Sequence, residues 1–208
     1  MKLTVLIITL LALTATSCRK QSVFSLSNSS RDKIIAIQPL DDFDMSQIDS
    51  VIIEVSKVYD RKVIVLPPLK IPMKFINREI DKYSADSILI LLSEFKNNNI
   101  EEVIGLTNHP IFTTKQIKQT TFLDDKIFGM GYQPGNSCVV SDYRFNTRDL
   151  RVYNHRLRNV IIHEVGHNLG LPHCKDNKCI MSTENGRYEN LDTGNNGYCE
   201  KCKERIIQ

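Results

Sequence analysis

The sequence predicts an α/β (α+β) domain, a mixed twisted sheet with helices packed on it, a buried central helix and a small irregular C-terminal subdomain over about residues 170–208. Three observations carry that expectation. Short apolar runs alternate with amphipathic stretches between Lys33 and Leu106. One long segment ending near Leu169 is apolar on both sides, as a helix inside a core must be. After it come four of the six cysteines and few apolar residues, a composition that needs a cross-link to hold shape.

The first 17 residues stand apart. Lys2 precedes an apolar run from Leu3 to Leu13, too short to span a bilayer as a mature helix and suited to an export signal. Ala15-Thr16-Ser17-Cys18 is similar to a bacterial lipoprotein cleavage box, so Cys18 is expected to become the lipidated first residue, anchoring an exported protein to a membrane of the cell envelope. Ordinary cleavage after Ser17 is the alternative, and a buried terminal element of a cytoplasmic protein the third. The serine-rich stretch to residue 32 reads as a flexible tether, leaving 33–208 as a single domain.

Within that domain, Ile34 to Ile37 is a short apolar run stopped by Pro39, as in a buried strand. Ser46 to Tyr59 carries Ile48, Val51, Ile52, Val55 and Val58 at helical spacing. Lys62 to Leu66 is a second strand closed by Pro67-Pro68, Ala85 to Phe95 a second helix, and Glu102 to Leu106 a third strand. Strand–helix–strand order implies crossovers and parallel pairing. His109 to Lys126 shows no clean period and is expected to be loop, with His109 either solvated or a further metal ligand. Phe128–Tyr132 and Ser137–Arg144 flank Gln133-Pro134-Gly135-Asn136 and predict a hairpin. Its glycines would let another backbone approach, and as an edge strand it could pair with an extended peptide or be merely structural. Cys138 reads as a small buried hydrophobe.

Asn146 or Thr147 can cap the helix that runs to about Leu169, with Leu157, Ile161, Val165 and Leu169 toward the sheet. His163 and His167, four residues apart, lie one above the other on the opposite side. Two imidazoles so placed can bind one zinc ion. Glu164 is about 100° further round, placed to act as a base on water held at the metal. Gly170 supplies a left-handed helix end and Pro172 prevents continuation, turning the chain back so that His173 can complete three ligands. Three protein ligands leave a fourth position open, the arrangement of a hydrolytic site rather than a structural one.

Cys199-x-x-Cys202 is a knuckle that can hold two thiolates on one ion, and Cys174 with Cys179 can supply the other pair, closing a structural zinc site. Two disulfides compete with that reading, since export would permit them. Met181 is placed to run beneath the histidines or to be an ordinary core methionine.

The order His-Glu-x-x-His-x-x-Gly-x-x-His-Cys, four residues, Cys-x-Met, seventeen residues, Cys-x-x-Cys resembles that of the archaemetzincins, a branch of the metzincin zinc peptidases. The match runs from His163 to Cys202, about a fifth of the chain. The resemblance implies a metzincin-like sheet above an irregular lower part, with a cleft between. It implies one catalytic zinc on His163, His167 and His173, Glu164 as general base, and a structural zinc on Cys174, Cys179, Cys199 and Cys202. Met181 then stands in the methionine turn. The expected function is zinc-dependent hydrolysis of a peptide or protein by a monomer, endopeptidase or aminopeptidase being open. A catalytically silent, lipid-anchored zinc-binding or interaction module is the alternative, which has no need of Glu164. A net charge of +3 and the lack of a basic, aromatic-interleaved face argue against a nucleic-acid partner.

Overall fold

The computed structural model describes residues 33–46, 48–182, 192 and 197–206. The signal-like segment, Cys18 and the tether lie outside them. Among the described residues, nine strands and four α-helices follow in order: β1 Ile34–Pro39, α1 Asp49–Tyr59, β2 Lys62–Val65, β3 Ile76–Asn77, β4 Lys82–Ser84, α2 Ala85–Ser93, β5 Ile100–Thr107, β6 Ile111–Ile117, β7 Thr120–Asp124, β8 Gly129–Gly131, β9 Ser137–Ser141, α3 Leu150–Asn168 and α4 Glu200–Ile206.

The main sheet has the order β2-β1-β5-β9-β8. Its first four strands are parallel, as the crossovers require, and β8 closes the edge antiparallel to β9. Because strand side chains alternate, the sheet has two apolar faces. Ile35, Ile37, Ile104, Leu106, Cys138 and Val140 meet α1 and α3 on one, and Ala36, Val103 and Val139 meet Ile88, Leu89 and Leu92 of α2 on the other. Cys138 is fully buried there, as expected of a small hydrophobe.

Local chemistry sets the helix ends. Ser84 Oγ accepts from the Ser87 N–H at 3.2 Å to start α2. Asp149, rather than Asn146 or Thr147, caps α3: its carboxylate accepts from the Arg151 N–H at 2.9 Å, while Thr147 Oγ1 holds the Asp149 N–H at 3.2 Å in the preceding turn. The helix then runs through the core with Leu157, Ile161 and Val165 buried. Leu169 departs from the expected stripe, since α3 ends at Asn168 and Leu169 is left 39% exposed on the turn.

The largest correction concerns residues 109–126. Instead of a loop, β6 and β7 form an antiparallel hairpin in a second sheet of order β3-β4-β6-β7. Its two-residue turn has Lys118 at φ 58°, where glycine or asparagine is the usual signal. With Thr114, Lys115 and Gln116 exposed and β7 without a buried residue, there is no apolar alternation to read.

Candidate metal centre

Helix α3 ends in a Schellman turn. The Leu171 N–H bonds back to the Gly166 carbonyl at 3.0 Å and the Gly170 N–H to His167 at 2.8 Å, with Gly170 at φ 86°. This reverses the chain so that His173 meets the two helical histidines. His167 Nε2 lies 3.1 Å from His163 Nε2 and 3.2 Å from His173 Nε2. Three nitrogens at 2.0–2.1 Å from one tetrahedral zinc stand roughly 3.3 Å apart, close to what is seen.

Tautomers sharpen the fit. His163 Nδ1–H donates to the Ile180 carbonyl at 2.7 Å and His167 Nδ1–H to the Leu171 carbonyl at 2.9 Å. A carbonyl only accepts, so both Nδ1 atoms carry protons and both Nε2 atoms present lone pairs in the neutral rings. Burial holds the rings neutral, lowering His163 and His173 to about 4 and lowering His167 as well. Two lone pairs facing each other at 3.1 Å are repulsive without a cation between them. The donor set fits zinc.

Glu164 does not join the cluster. It packs against β8, where a Cβ on Gly129 would stand 2.8 Å from its Cγ and one on Gly131 would stand 2.6 Å from its carbonyl oxygen. The glycines of the hairpin therefore serve the close approach the sequence suggested. Burial pushes the Glu164 carboxyl up to about 8, while a hydrogen bond from the Gly131 backbone lowers it. His109 is elsewhere: its Nε2 pairs with Asp41 Oδ2 at 3.1 Å.

The four cysteines also converge. Cys174 Sγ lies 3.8 Å from Cys199 Sγ and Cys179 Sγ 3.8 Å from Cys202 Sγ, with all four sulfurs within 4.8 Å of one another. Sulfurs at 2.3 Å from one zinc are roughly 3.8 Å apart, whereas a disulfide holds them near 2.05 Å. The four thiols are free, so this spacing favours the ion over the disulfides.

One short segment joins the two clusters. Cys179 faces the sulfur cluster, Ile180 gives its carbonyl to His163, and Met181 gives its carbonyl to the Cys174 N–H at 2.7 Å. Met181 is fully buried under α3, and a Cβ on Gly166 would stand 2.4 Å from its sulfur, so only glycine fits there. Tyr198, next to Cys199, donates to the Ile162 carbonyl at 2.8 Å and meets the Tyr59 hydroxyl at 2.6 Å, tying the tail to α3 and α1. None of these backbone acceptors, nor the tyrosine pair, has a signal in the sequence.

Behind α3, Asn168 Nδ2 donates to Glu102, which is 5% exposed on β5. Burial raises the Glu102 carboxyl to about 8, against the lowering by the Asn168 amide and Lys96; neighbouring Glu101 adds to the rise. The Asn168 Oδ1 atom has no partner among the described residues. An acid whose folded pKa is raised binds its proton more tightly when folded, so stability falls as pH rises from about 4.5 to about 8. Glu102→Gln should remove that slope, about 1.4 kcal/mol per pH unit, and stabilise the protein by about 3–5 kcal/mol at pH 8. Urea unfolding at pH 5 and pH 8 checks it; parallel pH dependence in the two proteins would refute it.

The model of peptidase family M54 matches residues 20–208. The archaemetzincin of Archaeoglobus fulgidus is 28% identical over 172 residues, 83% of this chain and 98% of that protein. That of Methanopyrus kandleri is 29% identical over 137 residues, 66% and 73% of the respective chains. The crystal structure of the Archaeoglobus fulgidus protein, complexed with malonate, superposes with a TM-score of 0.67 at 27% identity, covering 83% of this chain and 99% of that one. The Methanopyrus kandleri structure gives 0.71 at 26% identity, covering 88% and 97%. With a family match that spans the whole described domain, the chain belongs to peptidase family M54, the archaemetzincin zinc metallopeptidases.

Proposed function

We propose that this peptidase holds two zinc ions and hydrolyses peptide bonds with Glu164 as general base. The observation that carries the reading is the convergence of three neutral Nε2 atoms beside a carboxylate that is not one of the ligands. His163, His167 and His173 would hold the catalytic ion, and Cys174, Cys179, Cys199 and Cys202 the structural one. Zinc bound at the histidines supplies Lewis acidity for attack on the carbonyl. Glu164 takes the proton of the attacking water on its carboxylate and delivers it to the departing amine. The Gly131 N–H and the glycine-lined surface of β8 keep that carboxylate aimed, and Met181 with the Ile180 and Leu171 carbonyls keeps the imidazoles oriented. Digestion of a peptide library by the zinc-loaded protein, with metal analysis alongside, tests it. Two zinc ions per chain and chelator-sensitive cleavage are expected; one ion, or cleavage that survives chelation, would overturn it.

The N-terminal segment supports a second part of the proposal: an exported monomer, residues 1–17 removed and Cys18 lipidated, residues 18–32 tethering the domain to an envelope membrane. Cys18→Ala should move the protein from the membrane to the soluble fraction; an unchanged membrane fraction would refute the anchor. Among the described residues no helix is long and apolar enough to cross a membrane.

A further inference from the structure

Edge strand β8 has no side chain with which to hold itself against α3. Two of its three residues are Gly129 and Gly131, and Met130 between them packs on the α2 side of the sheet. Glycine adds backbone entropy and nothing to pack. Nor is there room for more, since a Cβ on Gly129 would stand 2.8 Å from Glu164 Cγ and 3.0 Å from Glu164 Oε1. The Glu164 carboxyl therefore rests directly on the β8 backbone, and its place follows from where that backbone lies. The ladder to β9 sets the register, with Gly129 opposite Val140 and Gly131 opposite Cys138. How closely the strand stands against α3 is left to its two ends.

The exit is tied by Tyr132, whose hydroxyl donates to Asp86 at 3.3 Å, and by Gln133, whose amide donates to the Gly170 carbonyl at 3.2 Å. The entry, residues 125–128, is held by two cations. Lys82 Nζ donates to the Asp125 carbonyl at 3.0 Å and to its carboxylate at 2.7 Å. Arg144 takes the next two points: its Nη1 donates to the Lys126 carbonyl, and its guanidinium lies 4.5 Å from the centre of the Phe128 ring. That distance is well inside the ~6 Å of a cation–π contact. Phe128 is buried beside Phe145, ring centres 6.0 Å apart, and its carbonyl accepts from the Ser141 N–H at 2.8 Å. Arg144 has a firm base, because the Phe145 N–H closes a turn on the Asp142 carbonyl at 2.8 Å and the Asp142 N–H bonds Thr107 of β5 at 3.1 Å. Contacts thus run unbroken from β5 through Arg144 and Phe128 to Gly129 and Glu164.

We propose that Arg144 is a positioning residue for Glu164: by holding Lys126 and Phe128 it fixes the entry to β8, and with it the backbone on which the carboxylate rests. This rests on the reading of Glu164 as general base. Guanidinium suits the task, since one planar group donates in its plane and stacks by its face, whereas an ammonium has no face to stack. A clamp that served only the stability of the hairpin, or a guanidinium that gripped substrate, would act without regard to Glu164.

That difference sets the test, a double-mutant cycle of Arg144→Met with Glu164→Gln on the zinc-loaded full chain, with zinc measured in every sample. Misplacing reacting groups by about 1 Å costs on the order of 100-fold, and a loosened strand entry should cost part of that, about tenfold in kcat. KM should stay within about twofold, because substrate binding is untouched. Zinc content should match wild type. In the Glu164→Gln background, Arg144→Met should lower the residual rate by less than about twofold, since the group it positions is gone. Arg144→Lys keeps the charge and a donor and should lose only about threefold in kcat. Should Arg144→Met fold poorly, the same cycle with Arg144→Lys carries the test at that smaller loss. Equal losses with and without the Glu164 carboxylate overturn this proposal alone, as does a raised KM at unchanged kcat. Wild-type turnover by Glu164→Gln overturns the general-base reading and this proposal with it.

Discussion

Glu164→Gln should lower peptide hydrolysis by about 10²–10⁴-fold while leaving zinc content at the wild-type level. The two halves of that result come from different atoms. Activity falls because an amide cannot take a proton from water, whereas the Glu164 carboxylate can. Zinc stays because the three convergent nitrogens belong to His163, His167 and His173, and the Glu164 side chain lies against Gly129 instead. The amide keeps the shape of the acid and can still accept from the Gly131 N–H, so the fold should not suffer. Kinetics on a fluorogenic peptide with metal analysis of the same sample decides it. Wild-type turnover would remove Glu164 from the mechanism, and loss of zinc would make it a ligand.

Cys174→Ser should damage catalysis although it touches no substrate. Loss of one thiolate opens the four-sulfur cluster, and two strands of connection carry that damage to the histidines. Cys174 itself follows His173, and its N–H holds the Met181 carbonyl at 2.7 Å. Across the cluster, Cys179 precedes Ile180, whose carbonyl fixes the tautomer of His163. Changes to groups that orient metal ligands cost about 10–100-fold in metal affinity or activity, and a loss in that range is expected at limiting zinc. Titration of activity against free zinc reads it, with partial recovery at high zinc. A variant with full activity and two zinc ions would show that the clusters are independent.

How much of this was legible in the sequence follows from what a side-chain pattern can express. The histidine cluster was legible because His163 and His167 sit one turn apart and because Gly170 and Pro172 mark a reversal. Main-chain acceptors were not, since Ile180 and Leu171 act through carbonyls that every residue possesses. The central sheet was legible because β1, β5 and β9 are buried on both faces and so read as apolar runs. The hairpin of β6 and β7 was hidden for the opposite reason: Thr114, Lys115 and Gln116 are exposed on β6, Phe122 and Leu123 are exposed on β7, and a lysine stands in the turn. Glu102 was hidden too, because a charged residue in a strand suggests a solvent-facing position, and only its place behind Asn168 explains its burial.

The short link Cys179-Ile180-Met181 sets the smallest piece of this protein that could be moved into another scaffold with its metal chemistry intact. A grafted helix bearing His163, Glu164 and His167 would bring two imidazoles and a carboxylate. It would leave behind the carbonyls of Ile180 and Leu171, so each imidazole would be free to turn its protonated nitrogen toward the ion. It would also leave behind Met181, whose thioether occupies the space beside Gly166. For a designer the transferable unit is helix, reversal and tail together, and the cysteine cluster belongs to the cofactor-binding part of that unit, not to its packaging.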